Sequence, residues 1–405
     1  MGVNRRADKI PAHVPQTAVV EFDVYNPPHA EGGIHAAWMT LHREGLPDLL
    51  WTACNGGHWI ATRAKDIREI FSNYELFSSR LLAVPKENNE HHGLLPLFLD
   101  PPAQKPYRAL IAQAFTPGRV QAMEDSIRQK TVALIESFRA SGKCEFIDAF
   151  ARKLPIGIFL DLINVPDTDS GHLTHLAEQF NRPTDMTPPQ AMQAFFDYLR
   201  PLLAERRNGP ADDLLTKVAS GIIEGRPITE LESIQVATLV MLGGLDTVAS
   251  FLGFMMLFLA DNPLHRKQLG EHPELIPNAV SELLRRFPIV TVTRTVTKDM
   301  VYNGQEFKEG DLIVTPSILS GLDSREFENP AAVNFERPLR VGSYSTFGGG
   351  PHHCPGQGLG RLELKIVLEE WLARIPDFEV ADRQGIAMMS GIVVSMQSLP
   401  LVWKR

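Results

Sequence analysis

The longest apolar run in the chain is Val236 to Ala260, interrupted by Gly243, Gly244 and Asp246 and set within a helical pattern that spans Thr229 to Leu259. Apolar positions recur at the helical period, three to four residues apart, in several other segments. These are Ala64 to Phe77 (Ile67, Ile70 and Phe71 on one side), Tyr107 to Phe115, Gln121 to Ser141, Ile156 to Ile163, His172 to Asn181, Ala191 to Arg207 and Gln357 to Trp371. Asp212-Asp213-Leu214-Leu215 opens a further helix. Strand patterning is confined to three places. Leu50–Cys54 and His58–Thr62 flank Asn55-Gly56-Gly57, which is hairpin chemistry. Thr291 to Val314 reads as strands turned at Tyr302-Asn303-Gly304 and Glu309-Gly310, and Met388 to Val402 as a last β-rich stretch.

One junction stays open between two geometries. Asp100 followed by Pro101 is a helix start, yet Pro106 would break a helix already under way. Either the first turn is distorted or the regular helix begins at Pro106. With no repeat and no low-complexity linker, the pattern predicts a mainly α chain with a small β-rich region, folded as a single domain over residues 1–405.

Composition narrows the class. A hydrophobic fraction of 44% and a charged fraction of 22% describe a chain with ample core. The formal charge of -8, with no compensating basic block, argues against a nucleic acid partner. Cys54, Cys144 and Cys354 lie far apart and make no evident disulfide framework, as expected in a reducing compartment. Met1 to Asn26 carries charges and prolines without an apolar run, so no signal peptide is expected. Asp246 and the central glycines make Val236 to Ala260 a buried core helix rather than a membrane span. The expected location is the cytoplasm.

Candidate chemistry centres on Phe347-Gly348-Gly349-Gly350-Pro351-His352-His353-Cys354-Pro355-Gly356, just before the helical run from Gln357. Glycines let the chain close around one sulfur and turn amide hydrogens toward it. A thiolate held that way can be an axial haem ligand. The alternatives are a buried structural thiol and a zinc site with His352 and His353. Adjacent histidines point apart, and no second ligand pair completes a zinc set.

The spacing F-x-x-G-x-x-x-C-x-G resembles the cysteine loop of the cytochrome P-450 haem-thiolate monooxygenases. Three further segments resemble that family in its own order: Gly243-Gly244-Leu245-Asp246-Thr247, Glu282-Leu283-Leu284-Arg285 and Asn334-Phe335-Glu336-Arg337. Within the family the likeness runs nearly end to end toward the bacterial camphor 5-monooxygenases. It includes Asn55 to Thr62, Glu282 to Phe287 and Leu399 to Trp403.

The resemblance implies the P-450 fold, with haem b between the long central helix and the cysteine loop and Cys354 on the iron. Two mid-helix glycines cost roughly 1 kcal/mol each relative to alanine, so Gly243 and Gly244 need a compensating role. They mark either the close approach of a flat cofactor or a tight helix crossing. In the first case Thr247 admits dioxygen and Asp246 relays protons, with Arg182 as its closed-state partner. Glu282, Arg285 and Arg337 are implied as a structural network. Arg108, Arg294 and His352, with Gln104, are implied around the haem propionates, and Phe347 and Gly243 beside the cofactor.

Departures from the camphor enzymes cluster where substrate would sit. His92 stands where a tyrosine holds the camphor ketone, Leu97 replaces a threonine and Ala83 a phenylalanine. Leu94, Leu242, Val290, Ile392 and Val393 complete an apolar pocket. His92 either donates to a substrate ketone, ligates iron in the resting state, or lies in solvent. The implied reaction is insertion of one atom of O2 into a C–H bond of a small apolar ring compound, a terpenoid or related ketone. Electrons are implied from a [2Fe-2S] ferredoxin and its reductase, docking near Arg108, Lys105 and Arg68. A peroxide-driven haem-thiolate enzyme and a non-catalytic haem or ligand binder are the rival readings.

Overall fold

The computed structural model describes residues 6–28, 30, 33–89, 93–165, 167–181, 185–209, 213–340 and 342–404. Its axis is the helix Glu230–Asp261. Thr229 caps it: the Thr229 hydroxyl accepts from the Glu232 amide, and the Glu232 carboxylate accepts from the Thr229 amide. That capping box satisfies two amides at the helix start that have no partner within the helix. By length and composition this helix could cross a membrane, but its apolar side chains are spent on two interior clusters.

Those clusters explain the architecture. Ile234, Val236, Ala237 and Met241, from the first half of the helix, pack with Tyr107, Leu110, Ile111, Phe195, Leu199 and Leu215. Ala249, Leu252, Met255 and Leu259, from the second half, join a larger core that holds Trp38, Trp59, Leu283, Val367 and Trp371. Between them Gly243 is exposed, and Leu242, Gly244, Asp246 and Thr247 are half-buried. A helix buried on both sides of a solvent-reaching middle turn is passing an internal recess.

The β structure is peripheral. Leu49–Thr52 and His58–Ala61 form the expected hairpin, with Asn55, Gly56 and Gly57 all at positive φ. The second strand runs parallel to Leu312–Pro316, which pairs antiparallel with Thr291–Val296, and Phe77–Ser78 closes the sheet. Asn303 and Gly304 turn Met300–Tyr302 back onto Gln305–Phe307. At the C-terminal end Pro400–Val402 pairs with both Lys143–Glu145 and Glu379–Val380.

Several sequence-based boundaries shift. The helix expected over 64–77 is Ala64–Ser72, because Phe77 is drawn into the sheet opposite Val296. The run expected over 121–141 is divided at Met123 into Pro117–Ala122 and Glu124–Arg139. The Pro106 question resolves in a third way. The helix is Gln104–Ala112, with Pro106 inside its first turn, where a missing amide hydrogen costs nothing. Asp100 is not its cap; its carboxylate accepts from the Ser79 amide at 2.8 Å.

Candidate active site

Cys354 sits three residues before the helix Gln357–Arg374, in a loop that glycines make possible. Gly348 and Gly350 take positive φ, and a Cβ on Gly350 would lie 2.3 Å from the Phe71 carbonyl oxygen. The Cys354 amide donates to the Phe347 carbonyl at 2.9 Å and closes the turn. Cys354 is half-buried. Burial pushes its pKa up, while the amides of Gly356 and Gln357 and the charge of Arg108 pull the other way. Two amides and a cation aimed at one sulfur favour the thiolate, and occupation of the sulfur by a metal would remove the remaining penalty.

The helix Gln104–Ala112 lies along this loop. Gln104, buried, donates to the Pro351 carbonyl at 2.8 Å; one turn later Arg108 donates to the His353 carbonyl. Arg294 comes from strand Thr291–Val296. It is 3% exposed, its hydrogen bond goes to the carbonyl of Thr293 rather than to a carboxylate, and burial lowers its pKa to about 10. His352 hydrogen-bonds the Leu99 carbonyl at 2.9 Å. Burial and then the Arg294 charge push its pKa down to about 4, and Arg108 adds to the shift. Arg108 is itself lowered by burial. Three groups that form cations are thus drawn together in a desolvated place, with Asp100 as the acid acting on Arg294 and His352. Such a cluster fits an anionic ligand with more than one carboxylate.

The distal face is the middle turn of Glu230–Asp261. A Cβ built on Gly243 or Gly244 would meet nothing within 4 Å, which rules out the tight helix crossing. Thr247 donates its hydroxyl to the Gly243 carbonyl at 2.8 Å. Asp246 is half-buried beside it; its expected partner Arg182 lies outside the described residues.

The candidate substrate residues fall in two groups. Val290 bridges to Val393, the Thr291 amide donates to the Ile392 carbonyl at 2.8 Å, and the Thr293 amide donates to the Leu82 carbonyl at 2.9 Å. Ala83, Val290, Ile392 and Val393 are thereby held on one connected stretch of backbone. Leu95 and Leu99, either side of Leu97, pack with Leu242 against the cluster on the first half of the central helix. Leu94 is buried and Leu97 half-buried. His92 lies outside the described residues.

Behind the cysteine loop the Glu282–Arg285–Arg337 network is formed in full. Glu282 and Arg285 are completely buried and joined twice, at 2.7 and 2.8 Å. Arg337 donates to the same carboxylate at 3.1 Å, and the Asn334 backbone amide also donates to it at 3.0 Å. Arg285 spends its remaining donors on the carbonyls of Gly321, Pro330 and Ala332. Sequence reasoning missed two features. Tyr107, next to Arg108, donates to Glu232 at 2.6 Å and ties the loop-side helix to the capping box of the central helix. Arg361 lies over the ring of Phe347. Nothing in residue spacing distinguishes either from a surface side chain.

Comparison with known proteins agrees with this geometry. The sequence profile described as Cytochrome P450 matches residues 271–403. The chain is 32% identical to the probable cytochrome P450 127A1 of Sinorhizobium fredii, over 98% of both chains. Its fold superposes on the crystal structure of CYP101C1 with a TM-score of 0.91 and 40% identity, covering 98% of this chain and 100% of that one. For CYP101J2 the TM-score is 0.91 and the identity 36%, with the same coverage. The chain belongs to the cytochrome P450 family. It is an oxidoreductase of the monooxygenase class, close to the camphor-type branch, and its family binds haem b through a cysteine thiolate. The recess, the cationic cluster and the amide-wrapped sulfur fit that group.

Proposed function

We propose that this protein hydroxylates a small apolar ring compound, a terpenoid or related ring ketone, taking one atom from O2 and electrons from a [2Fe-2S] ferredoxin. The observation that carries the reading is the pairing of two faces. One presents Cys354 with amides turned toward its sulfur; the other is the open turn at Gly243 and Gly244, midway along the central helix. The protein acts as a single domain in the cytoplasm.

Haem supplies the oxygen-activating redox chemistry when bound. Cys354 would hold the haem iron through its thiolate, and the amides of Gly356 and Gln357 would moderate how much charge its sulfur donates. Arg108, Arg294 and His352 would hold the propionates, while Gln104 keeps the cysteine loop against the helix that carries Arg108. Phe347 and Gly243 would border the cofactor. Thr247 stands with its hydroxyl on the Gly243 carbonyl, ready to exchange that bond for one to oxygen or water, and Asp246 passes protons toward it. Ala83, Leu94, Leu97, Leu242, Val290, Ile392 and Val393 exclude water and hold the substrate by apolar contact, with His92 as the polar contact. Glu282, Arg285 and Arg337 carry no chemistry and keep the cysteine loop backed by a rigid wall.

The test is spectroscopic. Reduced protein under carbon monoxide should show the red-shifted band of a thiolate ligand, and Cys354→Ala should abolish it. Ring ketones and terpenoids should drive a low-spin to high-spin shift and then be hydroxylated with NADH, ferredoxin and reductase. Ligand-induced shifts without turnover under any reductase would leave a binding protein instead.

A further inference from the structure

Arg361 plays no part in the functions above, yet it joins separate segments around the cysteine loop. It sits on the helix Gln357–Arg374, seven residues after Cys354 and half-buried. Its guanidinium carbon stands 5.3 Å from the centroid of the Phe347 ring. One arm donates to the Ser281 hydroxyl at 2.8 Å and another to the Tyr344 hydroxyl at 3.0 Å. Tyr344 in turn donates to the Ser281 carbonyl at 3.1 Å.

Arg361 and these partners belong to three separate parts of the proximal wall. Ser281 precedes Glu282 of the buried network. Tyr344 and Phe347 belong to the segment entering the cysteine loop, and the Phe347 carbonyl accepts the Cys354 amide. Arg361 itself is on the helix that leaves the loop. Both of these hydrogen bonds go to neutral hydroxyls, so its charge is not cancelled within this set of bonds.

We propose that Arg361 is a positioning residue for the thiolate: by stacking on Phe347 and forking to Ser281 and Tyr344, it fixes the loop that presents Cys354 and sets the reduction potential of the bound iron. The inference rests on the haem-thiolate reading. A planar fork that stacks and donates twice is a task for arginine, and lysine, a point charge on a flexible stem, does not reproduce it.

The experiment uses the full haem-loaded chain, reduced chemically with dye mediators so that partner docking plays no part. Arg361→Gln removes charge and fork; Arg361→Lys keeps the charge alone. Loss of a nearby cation disfavours the reduced iron, so Arg361→Gln should lower the reduced-to-oxidised ratio at fixed potential about tenfold, equivalent to ~59 mV for one electron. Arg361→Lys should recover less than half of that shift. In both variants the thiolate-type carbon monoxide band should decay several-fold faster than in the parent. In a Phe347→Leu background, Arg361→Lys should add little to that decay.

Full recovery of potential and band by lysine would reduce Arg361 to a remote charge and overturn the proposal. Unchanged potential and decay in both variants would overturn it too, as would an undiminished lysine effect without the Phe347 ring. A parent chain with no thiolate-type band would sink the haem-thiolate reading itself, a different result from a parent that shows the band and variants that do not respond.

Discussion

Gly243 and Gly244 show what a missing side chain is for. In a helix crossing, a Cβ at either position would strike the neighbouring helix; here it would meet open space. Gly243→Ala should therefore stabilise the cofactor-free chain by roughly 0.5–1 kcal/mol through helix propensity, while narrowing the recess and weakening the spin shift caused by ring ketones. Denaturant unfolding and ligand titration check the two halves separately. If Asp246 relays protons, Asp246→Asn should cut turnover on the order of 10²-fold with the ligand-induced spin shift retained. His35 tests burial without chemistry. It is enclosed by Phe254 and Phe287, hydrogen-bonded to the Pro288 carbonyl at 2.9 Å, and its pKa is pushed from 6.5 to about 3, chiefly by burial and then by Arg286. The unfolded chain takes up this proton first, so the contribution of His35 to stability is complete above pH 6.5 and is lost as pH falls toward 3. His35→Phe should flatten that limb of a stability–pH curve. At this scale the turn around Cys354 was legible, because it is written in contiguous glycines and prolines. Arg361 was not: a cation over a ring is a meeting of two segments, and no local pattern encodes it.

Elements were read well where local chemistry decides them and poorly where tertiary pairing does. The hairpin at Asn55-Gly56-Gly57 and the Asp213 cap, which accepts from the Thr216 amide at 2.8 Å, follow from residues a few positions apart. The helix ending at Ser72 was overestimated because Phe77 finds a strand 219 residues away in Val296. The Glu282–Arg285 pairing was visible as an i, i+3 spacing, but a solvated pair has the same spacing. Full burial is what separates the two cases, and burial belongs to the packed molecule. Glu282→Ala should cost about 3–5 kcal/mol, since it leaves Arg285 charged and buried without its carboxylate. Urea unfolding would measure it, and a loss below 1 kcal/mol would contradict the burial seen here. Tyr107→Phe is the milder case. It removes a hydrogen bond to a charged acceptor that Arg226 also satisfies at 2.6 Å, so a loss of about 1 kcal/mol is expected, toward the low end for such bonds.

Across the whole molecule the proposed ferredoxin donor sets an electrostatic constraint, because this chain carries a formal charge of -8 and an acidic donor would carry the same sign. Two negative bodies repel at long range, so productive docking must come from a local basic patch on the cysteine face. The patch is thinner than its residues suggest. Arg108 is turned inward onto the His353 carbonyl, and Arg68 is paired with Glu326 at 2.5 Å and bonded to the Ser343 carbonyl. Lys105 is left exposed. Screening acts on both effects over a Debye length of about 10 Å at 0.1 M salt, but with opposite sign. If the patch dominates, ferredoxin-supported turnover falls as salt rises; if net repulsion dominates, it climbs. We expect a fall, and expect Lys105→Glu to slow turnover several-fold at low ionic strength with the difference fading near 1 M, as rim charges act mainly on association. Chemical reduction of the iron should be unaffected by the same change. A rate that rises with salt and ignores Lys105 would place the electron entry on another face, and with it the partner.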